Sequence, residues 1–294
     1  LTAADYVYAI KRLMDPALRS KWFFLVEGKI EGADAVIAKA KAAGKFDYDA
    51  PMAGLAAPDR YTLRIRLVQP DYAFRYVLAM TPTVAVAREV VERYGPDTGF
   101  HPVGTGPFRI REWVRGARLI LEANPGYRED RFDGDPGPDE QSRAIHARLE
   151  GKRLPLVSRI EVSVVDEAQP RWLAFLNAEH DYIRPLPSEF ANIALPGGQI
   201  APNLAKAGIR ATPDEIAYTT YTTFNTQESI EGRPNSIGGF SPERIALRRA
   251  IGMGFRIGEM MAILDKGQSV RAHTPLPPAV SGHNPAMRSP TLEF

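Results

Sequence analysis

The sequence predicts an α/β protein, and three observations carry that prediction. Apolar residues recur at helical spacing in some segments, alternate with polar residues in others, and one strand of the second kind runs directly into a helix of the first. That strand is residues 159–165, with Ile160, Val162 and Val164 facing inward. Asp166 can cap the helix that follows, which carries Trp172, Leu173, Phe175 and Leu176. At 294 residues the chain is long enough for two domains, or for one large domain with an appendage.

In chain order, Thr2 and Asp5 resemble a capping box, Tyr6, Ile10, Leu13 and Met14 follow at helical spacing, and Pro16 closes the segment. The aromatic run Trp22-Phe23-Phe24 comes next. An alanine- and lysine-rich helix, expected to be exposed, spans residues 33–43 and stops at Gly44. Residues 61–67 alternate without a break, with Leu63, Ile65 and Leu67 on one face of a half-buried strand. Helices at 71–80 and 88–94, the latter stopped by Gly95, lead into the run His101-Pro102-Val103-Gly104-Thr105-Gly106-Pro107-Phe108. Strands at 108–113 and 117–122, separated by Val114-Arg115-Gly116, form a hairpin. Residues 124–152 are rich in Pro, Gly and charge and read as a surface excursion with a short helix near 142–149. Residues 216–224 read as a strand, Ser241-Pro242-Glu243 opens a helix carrying Ile245, Leu247, Ala250, Ile251 and Phe255, and residues 273–290 are proline-rich loop.

Composition excludes several functions. Lys and Arg total 37 against 35 Asp and Glu, a net charge of +2, which leaves no large basic field for a nucleic acid. There is no cysteine, so thiolate-bound zinc, iron–sulfur clusters, disulfides and thiol nucleophiles are all absent. That also fits an oxidising compartment. The longest charge-free apolar stretch, residues 76–87, contains Pro82 and falls short of the ~20 residues a membrane-spanning helix needs. The chain opens on Leu1-Thr2-Ala3-Ala4-Asp5, neither an initiator methionine nor a signal peptide, and is expected to be a mature start or a piece of something longer.

No local motif supports catalysis or a cofactor. Gly104-Thr105-Gly106 lacks the Gly-Lys-Ser/Thr ending of a phosphate loop, and Pro107 removes an amide donor, so it reads as a tight turn before a strand. The acidic run Asp133 to Asp139 fails as a calcium loop because Pro138 and Ala144 stand where glycine and glutamate are required. The five histidines, at 101, 146, 180, 273 and 283, form no pair with metal-ligand spacing. There is no Gly-x-Ser-x-Gly or His-Glu-x-x-His motif. Trp172 and Phe175, at helical spacing, read as core; Trp22 lies in a non-periodic segment after a helix, where it either serves a ligand or pins the loop.

Seven segments taken together resemble, in the same order, one family. They are Thr2 to Pro16; residues 61–67 with Pro70; His101 to Trp113, the most diagnostic; Leu121 to Tyr127; Ile160 to Asp181; Asn225 with Leu247-Arg248-Arg249-Ala250-Ile251; and Gly267-Gln268 with Thr274-Pro275-Leu276-Pro277-Pro278. These are similar to the family 5 extracellular solute-binding proteins, the oligopeptide-, dipeptide- and nickel-binding receptors of ATP-driven importers. The resemblance implies a type II periplasmic-binding-protein-like lobe with an additional small α+β domain, as a fragment of a larger two-lobed protein. On that reading residues 1–86 are part of the family's extra small domain, 87–223 the main α/β lobe, and 224–294 the hinge and the beginning of the second lobe.

The resemblance further implies an extracytoplasmic or periplasmic receptor without catalysis or cofactor. Such a receptor captures a peptide or similar small solute between lobes as a monomer and delivers it to the permease subunits of an ABC transporter. Trp22 falls where peptide-binding members place a ligand-touching aromatic. Arg184 falls near a polar ligand-facing position, and Tyr218 and Tyr221 lie in the strand entering the hinge. Two departures, Phe255-Arg256-Ile257 in place of the family's Ile-Asp-Arg and the excursion before Leu154, leave opines, sugars and metal chelates open as ligands beside peptides. A signalling receptor and a hydrolase or transferase reusing the cleft are the alternatives.

Overall fold

The computed structural model describes residues 1–212, 216–266 and 268–289, so Gly267, Pro290 and Phe294 lie outside the described residues. The chain divides into two compact units, Leu1–Val164 and Val165–Phe294.

The first unit is built on helix α1, Ala3–Met14. The backbone N–H of Thr2 donates to Asp5 Oδ2 at 2.6 Å, which satisfies a donor the helix start would otherwise leave open. Ile10, Leu13 and Met14 enter the core as their spacing requires. Helix α2, Ala33–Ala43, ends at Gly44 in the left-handed conformation, φ 65°, where a Cβ would cost energy. This helix is not exposed throughout: Ala33, Ile37 and Ala40 form one face of the same core. Their i, i+4, i+7 spacing is an amphipathic stripe written in small residues, which composition alone disguises.

The strand expected over 61–67 narrows to β2, Arg64–Ile65, antiparallel to β1, Leu55–Ala56. The Asp59 carboxylate accepts the N–H groups of Tyr61 and Thr62 at 2.9 Å each, which commits the start of the segment to a turn. Leu63, Ile65 and Leu67 nevertheless pack against the core. Helix α3 is likewise shorter than expected, Phe74–Val77: at its start Asp71 accepts Ala73 N–H at 2.9 Å and holds Lys29 at 2.9 Å, and at its end Ala79 and Met80 N–H bond back three residues to Tyr76 and Val77 O as turns. Helix α4 is Arg88–Tyr94 with Gly95 behind it, as the sequence reads.

Strands β3 (Phe108–Val114), β4 (Arg118–Ala123) and β5 (Arg159–Ser163) form an antiparallel sheet in the order β3-β4-β5. Gly116, φ 70°, makes the hairpin between the first two. The excursion between β4 and β5 carries helix α5, Glu140–Leu149, whose first turn Asp139 caps through Ser142 N–H at 2.8 Å. Its base is closed by Phe132 N–H to Lys152 O and Leu154 N–H to Asp130 O. Val162, on β5, and Val164, just beyond its end, do not turn into a core: both are exposed.

In the second unit, helix α6, Ala168–Leu176, begins after Glu167 rather than Asp166 and has no side-chain cap. Trp172 stacks on Phe190 of α7, Ser188–Ala194, with centroids 5.5 Å apart and planes 14° from parallel. Ala194, Ala201 and Leu204 of α8, Pro202–Lys206, complete a small core around it. Residues 216–224 form no ladder, although their pattern predicts one. Alternation alone does not make a strand, which also needs a partner to pair with, and this segment pairs with no strand among the described residues. Instead Thr219 Oγ1 donates to Pro275 O at 3.2 Å.

A short hairpin of β6 (Ser229–Ile230) and β7 (Arg233–Pro234) precedes helix α9, Pro242–Met253, started by Ser241 Oγ accepting Arg244 N–H at 3.4 Å. Leu247, Ile251 and Phe255 are exposed rather than packed. Helix α10, Ile257–Met260, follows, and residues 273–289 are loop.

Candidate functional site

The first unit contains Trp22; Arg184, Tyr218 and Tyr221 belong to the second. Trp22 precedes a single 3₁₀ turn, Phe23–Leu25, in the stretch between α1 and α2. Its backbone is fixed on both sides: Trp22 N–H meets Ser20 Oγ at 3.3 Å, and Trp22 O accepts Leu25 N–H at 3.0 Å. Leu25 and Val26 are buried immediately after, so the turn is anchored through apolar side chains while Trp22 is half-buried and Phe24 is 58% exposed. The indole packs against the core and also presents surface to solvent, which is what a ligand-facing aromatic on a rigid turn requires.

Lys21 places its Nζ 5.3 Å from the centroid of the Trp22 ring, and the Phe24 ring lies 6.1 Å away, tilted by 37°. The aromatic run and the lysine that precedes it are legible in the sequence, but the position of the ammonium over the indole is not.

In the second unit Arg184 is exposed between α6 and α7, flanked by Ile183 and Leu186, which pack on the Trp172 cluster. Tyr218 and Tyr221 are 73% and 75% exposed on the extended segment 216–224. The strand that would have held them is not formed.

Other sequence features resolve into structure. Asn124 closes the glycine run before β3, its side-chain amide donating to Gly106 O at 3.1 Å and its N–H to Pro107 O at 2.8 Å. His101 stacks on Tyr94 at 3.6 Å, His146 meets the edge of Phe132, and His283 Nδ1 lies 2.8 Å from Leu276 O. Among the described residues no three His, Asp or Glu side chains converge as a metal site, and no helix is long and apolar enough to cross a membrane.

Two open depressions lie in the first unit. One, of about 360 Å³, is lined by residues near Leu1, Tyr6 and Tyr61; the other, of about 560 Å³, by Arg93, Tyr94 and His101 among others. Neither contains Trp22.

A polar network unseen in the sequence fixes the shape of the first unit. Lys11, only 4% exposed, donates from Nζ to the carbonyls of Tyr48 and Ala50 at 2.7 Å each, and burial holds its pKa below the usual lysine value. Tyr48 in turn donates to Asp15 at 2.6 Å, and burial followed by that bond raises its pKa. Arg88, at the start of α4, grips Asp49 through both terminal nitrogens at 2.5 and 3.0 Å and Glu92 through Nε at 2.7 Å.

The sequence profile of the bacterial extracellular solute-binding proteins, family 5 (Middle), matches residues 1–293. Among curated proteins, the glutathione-binding protein GsiB of Salmonella paratyphi A is 46% identical over 69 residues, covering 24% of this chain and 14% of GsiB. The periplasmic oligopeptide-binding protein OppA of Salmonella typhimurium is 34% identical over 132 residues, covering 43% of this chain and 23% of OppA. Among solved structures, the Escherichia coli murein tripeptide binding protein MppA superposes over 100% of this chain and 48% of its own, with a TM-score of 0.64 at 21% identity, which shows a shared fold. The chain therefore spans about half the length of MppA and smaller shares of the curated relatives it matches. With its profile match running almost from end to end, the chain belongs to the bacterial extracellular solute-binding proteins of family 5.

Proposed function

We propose that the protein is an extracytoplasmic solute-binding receptor of an ABC importer that captures a short peptide or similar solute and hands it to membrane permease subunits. The observation that carries this is the family match over residues 1–293, joined by relatives named for glutathione, oligopeptides and murein tripeptide, all short peptides. Capture without catalysis is part of the proposal, as are action as a monomer and a location outside the cytoplasmic membrane. So are domain boundaries near residues 86 and 223.

Trp22, Arg184, Tyr218 and Tyr221 are the proposed ligand contacts. Trp22 has the strongest support, because its turn is anchored by buried Leu25 and Val26 while the indole stays partly open. A site prepared in this way loses little further conformational freedom when a ligand arrives.

Native mass spectrometry of the full-length protein, followed by release and identification of what it carries, tests the reading. A set of short peptides is the expected result, and a single non-peptide compound would sink the peptide assignment. Trp22→Ala is expected to weaken peptide binding at least tenfold; unchanged affinity would make Trp22 a packing residue.

A further inference from the structure

The surroundings of Trp22 carry charge that no acid among the described residues balances. Lys21 holds its ammonium 5.3 Å from the indole centroid, and neither Lys21 nor Arg19 forms an ion pair among the described residues. Lys29, later in the same stretch, differs: Asp71 takes it at 2.9 Å. A cation held over an aromatic face makes an electrostatic contact with the ring quadrupole and keeps its three N–H donors free for another partner. Beside it the Phe24 ring, 58% exposed and 6.1 Å from Trp22, adds an apolar ledge. The backbone of the turn that carries all three side chains is fixed by the bonds from Phe23 N–H to Ser20 O at 3.1 Å and Leu25 N–H to Trp22 O at 3.0 Å, so the main chain that presents them is in place before any ligand arrives.

We propose that Lys21 is a specificity-determining residue, which makes the Trp22 site prefer a ligand with a carboxylate next to an apolar or aromatic group. This rests on the reading of Trp22 as a ligand contact. The carboxylate is an acidic side chain or the free carboxy terminus of a peptide, since both present the same two acceptor oxygens to an ammonium group.

The test uses the full-length protein, stripped of bound ligand, and four tripeptide probes: Ala-Phe-Ala, Ala-Phe-Ala-amide, Ala-Glu-Phe-amide and Ala-Lys-Phe-amide. Titration calorimetry at low salt is expected to show the wild type favouring at least one carboxylate-bearing probe over its uncharged or cationic counterpart by about three- to fivefold, the range of a partly exposed ion pair. Comparison of the first two probes reports the carboxy terminus, and of the last two the side chain. Lys21→Met keeps the apolar stem, and is expected to bring the preference close to one while leaving Ala-Phe-Ala-amide affinity within twofold. In wild type the preference should shrink as salt is raised.

A charge preference unchanged in Lys21→Met overturns the proposal, as does an equal loss for every probe. Trp22→Ala separates the two readings. If it abolishes binding while Lys21→Met leaves the preference intact, only the role of Lys21 falls. If Trp22→Ala changes nothing, the underlying site assignment falls with it. Failure of all four probes to bind the wild type removes the peptide reading and this one together.

Discussion

The hydroxyl of Tyr48 donates to the carboxylate of Asp15 at 2.6 Å, joining the loop after α2 to the C-terminal end of α1. Asp15 is buried, and its other oxygen already accepts Ala17 N–H at 2.9 Å. Tyr48→Phe therefore leaves a buried carboxylate oxygen without its donor. The expected loss is about 1–3 kcal/mol, measured as a shift in the urea midpoint at unchanged slope.

The same pair sets a pH dependence. Burial, and then the bond to Asp15, raises the Tyr48 pKa above its ordinary value of 10.0, so the folded state favours the neutral phenol. A group with a raised folded-state pKa contributes stability that is complete below the unfolded value and lost as pH rises beyond it. The advantage of wild type over Tyr48→Phe is accordingly expected to be constant up to about pH 9 and to shrink above about pH 10. Lys11 is common to both proteins and cancels. An advantage that grows at alkaline pH would contradict this assignment.

Gly54 lies where three segments meet. Its N–H donates to Glu31 O at 2.8 Å and its carbonyl accepts Arg66 N–H at 2.8 Å, while Glu31 N–H reaches Arg66 O at 3.0 Å. A Cβ on residue 54 would stand 2.6 Å from Arg66 O and Glu31 N and 2.7 Å from Glu31 O, all backbone atoms with no side chain to yield. Gly54→Ala is expected to cost about 2–3 kcal/mol or more. Gly99→Ala, where nothing lies within 4 Å, is the control and should be close to neutral by thermal unfolding.

Arg248 holds the β6–β7 hairpin region against α9. Its guanidinium donates to Ile237 O at 2.6 Å and Gly239 O at 2.8 Å, and the Asn235 amide adds bonds to Asn225 O and Gln227 O at 2.9 Å each. Arg248→Met keeps the stem and removes the donors. Amide hydrogen exchange should then lose protection at Gly239, whose N–H donates to Thr226 O, and at Asn235, whose N–H donates to Glu228 O. The amides of α1 should be unaffected.

Much of the local structure was legible in residue order. The bounds of α4, the Gly44 stop of α2, the hairpin around Gly116 and the Ser241-Pro242 start of α9 all follow from short-range rules about caps, breakers and turn conformations. Trp172 and Phe175 read correctly as core. The misses share a cause. Residues 61–63 and 71–73 carry strand and helix patterns, but Asp59 and Asp71 spend their carboxylates on nearby N–H groups and so hold the backbone in turns. Residues 216–224 have the pattern of a strand and pair with none among the described residues, and pairing is a condition that periodicity cannot register.

By itself the sequence determined the family, the α/β class, the exclusion of cysteine chemistry and the position of Trp22 within an aromatic run. These depend on composition, on order and on contacts a few residues apart. Only the tertiary structure decided that Lys11 is buried against two carbonyls contributed by residues 48 and 50, that Arg88 grips Asp49, and that Lys21 stands over the Trp22 ring unbalanced by any acid among the described residues. A charged side chain carries no mark of its partner. Whether it is solvated, paired or buried is set by which distant segment packs beside it, and that is fixed only when the core closes.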